Sequence, residues 1–207
     1  IDVGCLPETP FAHLEDSVRA LKSEGFRVSV DSIDAQELLR GGRAGADFLL
    51  SLTADALWVA DEVPATPVLI PRTPADVASL DEAIAGMQQR GRAFFADPIL
   101  DPIPFGFTAS IVRYHALHQR FPDVAIMMGI GNLTELVEAD TSGINALLLG
   151  IAIAVDPGEA LRLCLGKARK GGGDPGMIGR ASPADAVGSA AIAPRQPHGG
   201  FLRRKVD

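Results

Sequence analysis

Short apolar runs alternate with longer amphipathic segments along most of the chain. Six runs of four or five residues are strand-sized. They cover residues 1–4, 27–31, 48–52, 67–70, 93–96 and 124–128. The runs lack a regular alternation of apolar and polar residues, which is typical of parallel strands covered on both faces. This pattern predicts an α/β protein.

The segments between the runs have helical spacing. In one of them Leu80, Ile84 and Met87 recur three or four residues apart, and Gly91 follows where a helix commonly ends. Repeating strand-helix units of about 20 to 30 residues suit either a (β/α)8 TIM-barrel-like fold or a doubly wound sheet. No Gly-x-Gly-x-x-Gly motif follows the first run, which argues against a dinucleotide-binding turn.

Polar residues recur where the predicted strands end. They are Asp2, Glu8, Asp31, Ser51, Arg72, Asp97 and Asn132. Any one of them could be a loop or helix-capping residue. The carboxyl ends of parallel strands meet at one edge, which in barrels of this kind builds the active site. The shared position therefore predicts a pocket lined by these residues.

Composition excludes several classes of partner. The net charge is −7 at pH 7, so the chain lacks the basic excess needed for non-specific phosphate-backbone binding, and we expect no nucleic-acid partner. The most apolar stretch, 146–155, is about half the roughly 20 residues of a membrane-spanning helix, and we expect no membrane partner. Cys5 and Cys164 form no disulfide framework or zinc motif, which favours a cytoplasmic protein.

The charge is unevenly distributed. Residues 156–207 contain nine basic and five acidic residues, a net charge of +4, against −11 for residues 1–155. We predict two parts: a folded body over 1–155 and a basic, Gly/Ala/Pro-rich tail over 156–207 that is largely disordered, because it lacks a periodic apolar face. The chain begins with Ile1 rather than Met, so we expect it to be part of a longer protein.

Several ordered segments of the body resemble the pterin-binding barrels, above all dihydropteroate synthase and the dihydropteroate synthase-like proteins of the tetrahydromethanopterin pathway. "IDVGCLPETP" is similar to the family's second strand and loop, and "VSVDSIDAQELLRGGRAGADFLLSLT" to the strand, helix and strand that follow. "PVLIPRTP" stands where a strand ending in Met-His is typical. "FADPILDPIPFGF" resembles an Asp-Pro-Gly-x-Gly-Phe segment, and "IMMGIGNLTELVEADTSGINALLLGIA" is similar to the dihydropteroate synthase-like proteins.

The resemblance implies a (β/α)8 TIM-barrel-like pterin-binding domain that is incomplete. The family's first strand would precede Ile1, and its eighth strand is not recognisable after Ala154. Because these two strands are neighbours where the barrel closes, we expect an open edge.

The resemblance also implies which residues contact the pterin. Asp31 binds the ring from the rim, and either Asp97 or Asp101 accepts from its 2-amino edge. Position at a strand end favours Asp97, whereas spacing to Gly106 and Phe107 favours Asp101. Asp2 and Ser51 belong to the predicted pterin-binding set.

Asn132 marks a departure from the synthases. Their loop after the seventh strand carries Ser-Arg-Lys, but here the sequence is Gly131-Asn132-Leu133. The segment resembles pterin-dependent corrinoid methyltransferases, in which an asparagine hydrogen-bonds to the pterin. We therefore predict that the Asn132 carboxamide contacts the ring.

The implied activity condenses a pterin methyl diphosphate with an arylamine. Arg72 is the predicted diphosphate-binding residue, with Arg113 and Arg43 as weaker candidates. The resemblance implies the pterin as substrate and Mg²⁺ with its diphosphate. The sequence leaves the oligomeric state open, with a homodimer as one option. The alternatives are a non-catalytic pterin-binding barrel and a pterin-dependent methyltransferase-like protein.

Overall fold

The protein consists of short parallel strands joined by helices. The computed structural model describes residues 1–103, 105–134, 141–155 and 161–164. The strands are β1 (Asp2–Gly4), β2 (Ser29–Asp31), β3 (Phe48–Leu52), β4 (Thr66–Leu69), β5 (Phe95–Ala96), β6 (Ile126–Gly129) and β7 (Leu161–Cys164). The helices are α1 (Leu14–Ser23), α2 (Ala35–Arg43), α3 (Trp58–Glu62), α4 (Val77–Gln89), α5 (Phe107–Arg120), α6 (Gly131–Thr134) and α7 (Thr141–Val155), with a 3-10 turn at Ala54–Ala56.

The strands form one sheet in which every pair is parallel. Seven strands follow one another in chain order from β1 to β7. A doubly wound sheet reverses its strand order at one point, and the described strands show no reversal, so that alternative is wrong for them. Right-handed crossovers between successive neighbours place the connecting helices on one face, as in one side of a (β/α) barrel.

The predicted α/β alternation is confirmed. The six predicted strands correspond to β1 through β6, and their ends differ by no more than two residues from those observed. The count of eight strands stays a prediction.

The seventh strand was not recognisable in the sequence. β7 pairs with β6 from Ile126 opposite Leu161 to Gly129 opposite Cys164. It lies beyond residue 155, the predicted end of the folded body, so the sheet continues into the predicted tail. β7 has the sequence Leu-Arg-Leu-Cys. Four residues are too few for the spacing of apolar positions to distinguish a strand from a helix. Residues 165–207 lie outside the described residues.

The main core fills the space between the helices and one face of the sheet. Val3, Val30 and Leu49 are aligned across β1, β2 and β3 and are at most 9% exposed. Helix α2 packs closely on this face through glycine: a Cβ atom on Gly41 would lie 2.7 Å from Val30 Cγ2. The helix can approach the sheet so closely because Gly41 has no side chain.

The most apolar segment of the chain lies in α7. Leu148 and Ala152 are buried on this helix, whereas Leu147 is exposed. The helix therefore packs one side against the core. No helix in the described part of the chain has both the length and the apolar character that crossing a bilayer requires.

The close approach of α2 gives a test of the fold. Gly41→Ala would force its methyl group against Val30, and we expect the free energy of unfolding to fall by about 1 to 3 kcal/mol. Gly150→Ala is the matched control, since this glycine is also helical and a Cβ there meets nothing within 4 Å. Urea denaturation measures both variants. Equal stability of the two would contradict the packing of α2 on β2.

Candidate functional site

Four of the predicted pterin-binding residues lie at the carboxyl edge of the sheet. Asp31 ends β2, Ser51 is the next-to-last residue of β3, Asp97 directly follows β5, and Asn132 lies in α6 after β6. We call Asp31, Ser51, Asp97 and Asn132 the edge cluster. The parallel pairing of every strand brings these residues to the same edge.

Asp31 and Ser51 are joined directly. The Ser51 hydroxyl donates to Asp31 Oδ1 at 2.6 Å. Ser51 has a φ of +68°, in the left-handed region that a residue with a side chain seldom adopts, and the pairing of β3 with β4 shifts register between Leu49 and Leu52. A bulge of this kind turns a side chain away from the regular pleat. Here Ser51 lies in the bulge, and its hydroxyl is hydrogen-bonded to the Asp31 carboxylate on the neighbouring strand.

Asp97 is the most enclosed charged group of the edge cluster. Its side chain is buried, with the residue only 6% exposed, and Oδ1 accepts from the Tyr114 hydroxyl at 2.5 Å and from the Ile99 amide at 2.7 Å. Burial raises the pKa of Asp97 to about 6, although the bonds from Tyr114, Ile99 and Gly129 oppose that rise. The charge on Asp31 raises it further. Asp97 can therefore exchange a proton near neutral pH.

Gly129 lies between Asp97 and Asn132. A Cβ atom on Gly129 would be 3.4 Å from Asp97 Oδ2 and 3.8 Å from Asn132 Nδ2. The end of β6 thus carries no side chain between these two groups. Asn132 Nδ2 donates to the Leu100 carbonyl at 3.2 Å, which links α6 to the loop after β5.

Asp101 is placed differently from Asp97. Arg113 Nη2 on α5 donates to Asp101 Oδ2 at 2.7 Å, and the Ser110 hydroxyl donates to the same oxygen at 3.2 Å. Arg113 also donates to the carbonyls of Pro98 and Ile99. Asp101 and Arg113 therefore brace the loop after β5 against α5. Of the two aspartates the sequence left open, Asp97 is the one whose second oxygen faces Gly129 and Asn132.

Arg72 lies on the same edge but is engaged by carboxylates. Its Nε and Nη2 donate to Asp55 at 2.6 and 2.8 Å, and Nη2 also donates to Glu82 at 3.2 Å. Asp76 lies 3.7 Å away. Asp55 and Glu82 raise the pKa of Arg72 above its already high ordinary value. A phosphate at Arg72 would compete with an existing ion pair.

Asp2 does not lie at the carboxyl edge of the sheet. Asp2 begins β1 and pairs with Ser29, whereas Gly4 pairs with Asp31. Asp2 therefore lies two residues, about 7 Å, before the carboxyl edge. Its prediction as a strand-end residue is wrong, because β1 continues to Gly4 and it is Gly4 that lies beside Asp31. Its Oδ1 accepts from the Ser29 hydroxyl, and Glu8 is exposed in the β1–α1 loop.

Sequence reasoning missed a second buried carboxylate beside this edge. Glu37 on α2 accepts from the Ser32 hydroxyl at 2.7 Å and from the Phe11 amide at 3.0 Å. Burial opposes ionisation of Glu37, but these bonds outweigh it and lower its pKa. Burial and Glu37 together raise the pKa of the Cys5 thiol to about 12. Glu37 thus ties the loops after β1 and β2 to α2.

Tyr114 was also missed. It is the only tyrosine of the chain and shares the inward face of α5 with Ser110 and Leu117, all three buried. That helical spacing predicts a buried face, but nothing in the sequence shows that the hydroxyl meets Asp97.

The described residues present no metal site. Among residues 1–103, 105–134, 141–155 and 161–164, no three His, Cys, Asp or Glu side chains are grouped so that they could hold an ion. Mg²⁺ bound together with the diphosphate substrate stays a prediction. An open groove of about 260 Å³ beside the start of α5 is lined by Ile103, Gly106, Phe107, Thr108 and Ala109, none of which belongs to the edge cluster.

The structure resembles solved dihydropteroate synthases. That of Thermus thermophilus in complex with 6HMPPP superposes with a TM-score of 0.59 at 19% identity, covering 78% of this chain and 74% of that chain. The 7,8-dihydropteroate synthase of Vibrio fischeri gives 0.54 at 19% identity, covering 78% and 71%. The Thermus enzyme in complex with 4-aminobenzoate gives 0.53 at 18% identity, covering 78% and 74%.

The chain has the dihydropteroate synthase fold. The resemblance carried by its motifs is thus confirmed at the level of the fold. No protein-family model matches the chain. An uncharacterized protein of Methanocaldococcus jannaschii is 32% identical over 146 residues, which cover 62% of this chain. The matched part is 28% of that relative's length.

The burial of Asp97 in this fold predicts a pH-dependent stability. Between its ordinary pKa of 3.8 and its folded value of about 6, the folded protein holds a proton that the unfolded chain has released. The contribution of Asp97 to the free energy of unfolding is therefore fully present below pH 3.8 and is lost as the pH rises to about 6. At 1.36 kcal/mol per pH unit the full loss is about 3 kcal/mol.

Asp97→Asn removes this dependence. We expect the unfolding free energy of the variant, minus that of wild type, to rise by up to about 3 kcal/mol between pH 4 and pH 7, as measured by urea denaturation. Asp123→Asn, which removes an exposed carboxylate before β6, is the control for loss of one negative charge. A difference that stays constant with pH would contradict the assignment.

Proposed function

We propose that this protein binds a reduced pterin at the edge cluster and acts as a dihydropteroate synthase-like transferase in tetrahydromethanopterin or folate-type cofactor biosynthesis. The observation that carries the proposal is the buried Asp97 carboxylate, with Asp31 and Asn132 on the same edge. The fold shared with dihydropteroate synthases supports it.

The chemistry of a pterin matches these groups. Its 2-amino-4-oxo face presents an amino group and a ring N–H as donors and a carbonyl as acceptor. A buried carboxylate accepts such donors through charge-assisted hydrogen bonds, which are about twice as strong as neutral ones. The Tyr114 and Ile99 bonds both go to Asp97 Oδ1, so Oδ2, on the side of Gly129 and Asn132, is the oxygen to which we assign ring N–H groups. Asn132 can donate or accept at the ring edge.

The proposed reaction joins a pterin methyl diphosphate to an arylamine. A C–N bond forms at the methylene carbon while its C–O bond to the diphosphate breaks, and the amine loses a proton. The carbon becomes cation-like in the transition state, so the protein's contribution is to hold the pterin and orient the amine. Solved neighbours of the same fold hold 6HMPPP in one case and 4-aminobenzoate in another, which supports this substrate pair.

One observation favours a second candidate, a pterin-binding protein without synthase activity. Arg72 is bound by Asp55 and Glu82, and the segment Gly131-Asn132-Leu133 carries no cation. The site would then keep ring recognition without a diphosphate site. Asn132 likewise leaves the methyltransferase-like alternative open.

Asp31→Asn tests ring recognition. We expect it to weaken binding of 6-hydroxymethyl-7,8-dihydropterin by about 1.5 to 3 kcal/mol, about 10- to 100-fold in Kd, because a charge-assisted bond is lost. Asn132→Ala should cost nearer 1 kcal/mol, since its contact is neutral. Isothermal titration calorimetry with the 207-residue chain measures both. Asp123→Asn controls for charge, and undiminished binding by Asp31→Asn would remove Asp31 from the site.

Arg72→Ala distinguishes the two candidates. If Arg72 exchanges Asp55 for phosphate, the variant should bind the plain pterin as wild type does but lose about tenfold or more in affinity for the pterin methyl diphosphate. Arg90→Ala is the matched control, because this arginine is also exposed and bound by a carboxylate, Asp61, but lies at the C-terminal end of α4. Equal affinities of wild type and Arg72→Ala for the diphosphate would remove Arg72 from the diphosphate site. Equal affinities of wild type for the two ligands would support the non-catalytic candidate.

A further inference from the structure

The Tyr114 hydroxyl is placed to control how Asp97 presents its oxygens. Tyr114 is fully buried on α5, and its hydroxyl donates to Asp97 Oδ1 at 2.5 Å. The Ile99 amide donates to the same oxygen. Both bonds pull Oδ1 toward α5 and the loop after β5, and they fix the rotation of the carboxylate.

The other oxygen lies on the side of the edge cluster. Oδ2 is the atom that a Cβ on Gly129 would approach at 3.4 Å, and the same Cβ would lie 3.8 Å from Asn132 Nδ2. A hydrogen bond at one oxygen therefore decides which oxygen meets a ligand. This role goes beyond the packing of a helix on a sheet, because a phenylalanine would fill the same space without orienting the carboxylate.

We propose that Tyr114 is a positioning residue for ligand recognition: it holds Asp97 Oδ1 so that Oδ2 accepts N–H donors from the ring of the ligand. The inference rests on the proposed function for the identity of the ligand. The orientation of Asp97 itself can be tested without any ligand.

Proton binding by Asp97 reports on this bond. The groups that face Asp97 are Asp31 from β2, Tyr114 and its neighbour Arg113 from α5, and the uncharged Gly129 and Asn132 from β6 and α6. Burial and Asp31 favour the protonated carboxyl, whereas the Tyr114 bond favours the carboxylate. Burial and the charge of Asp97 keep the pKa of Tyr114 well above its ordinary value, so the phenol stays a donor.

Two changes at Tyr114 should move Asp97 in opposite directions. Tyr114→Phe removes the donor, and we expect the titration midpoint of Asp97 to rise by about one pH unit or more. Replacing the tyrosine by 3-fluorotyrosine makes the phenol a stronger donor, and we expect the midpoint to fall. The replacement is specific in the 207-residue chain because Tyr114 is its only tyrosine.

The first experiment follows the Asp97 carboxyl carbon by NMR from pH 4 to pH 9 in wild type, Tyr114→Phe and the fluorotyrosine protein, all without ligand. Leu117→Met is the control, a volume-conserving change one turn along the same buried face. Opposite shifts in the two Tyr114 proteins, with none in the control, support the proposal. An unchanged midpoint in both Tyr114 proteins overturns it. If Tyr114→Phe does not fold, the fluorotyrosine protein alone decides the test, because an unchanged midpoint in it overturns the proposal.

The second experiment measures the Kd of 6-hydroxymethyl-7,8-dihydropterin from pH 5 to pH 9. For Tyr114→Phe we expect weaker binding than wild type even at pH 9, where the Asp97 carboxyl is ionised in both proteins but is no longer held by Tyr114, and a further loss that begins at a higher pH than in wild type. Affinity equal to wild type at pH 9 overturns the positioning role, because the ionised carboxylate would then bind the ring without the Tyr114 bond. A loss of the same size in Leu117→Met also overturns it, because it would show a packing defect alone. If wild type binds no pterin at any pH while the carboxyl titrations shift as expected, the proposed function fails and the role of Tyr114 in orienting Asp97 stands.

Discussion

Parallel pairing of neighbours in chain order is the constraint on which the rest of the structure depends. Each strand must run the same way as the one before it, so the chain returns through a helix after every strand and all carboxyl ends meet at one edge. Residues far apart in the sequence, such as Asp31 and Asn132, are thereby brought to one place. Short strands suffice for this purpose: β5 has only two residues, yet it delivers Asp97 to the edge.

Burial raises the pKa of Asp97, and the hydrogen bonds to its carboxylate offset part of the free-energy cost of burying a charge. A carboxylate removed from water must be neutralised or supplied with donors. Asp97 receives them from a side chain on α5, Tyr114, and from the backbone of its own loop at Ile99, which itself has a φ of +67°. A β-branched residue in that conformation is strained. The backbone strain at Ile99 therefore accompanies the hydrogen bond from its amide to the Asp97 carboxylate.

Sequence alone predicted the parts of the site that depend on chain order. Apolar runs located six strands, and the residues after them located Asp31, Asp97 and Asn132, because strand ends can be found from local pattern. It placed Asp2 wrongly, since in a strand of three residues the first and the last residue already lie at opposite edges of the sheet. Tyr114 and Glu37 were missed for another reason: each meets partners that only the packed helices bring near. The ion pairs of Arg72 depend likewise on where the turn after β3 and α4 come to lie.

Ser51 is a position where stability and chemistry favour different amino acids. Its φ of +68° is one that glycine adopts at no steric cost, whereas a residue with a Cβ atom carries strain of order 1 kcal/mol. Selection for thermal stability alone would therefore favour glycine at this bulge. Such a chain would keep its sheet and lose the hydroxyl on Asp31, so a library sorted only for folding would enrich proteins whose carboxylate at the end of β2 is no longer held in place.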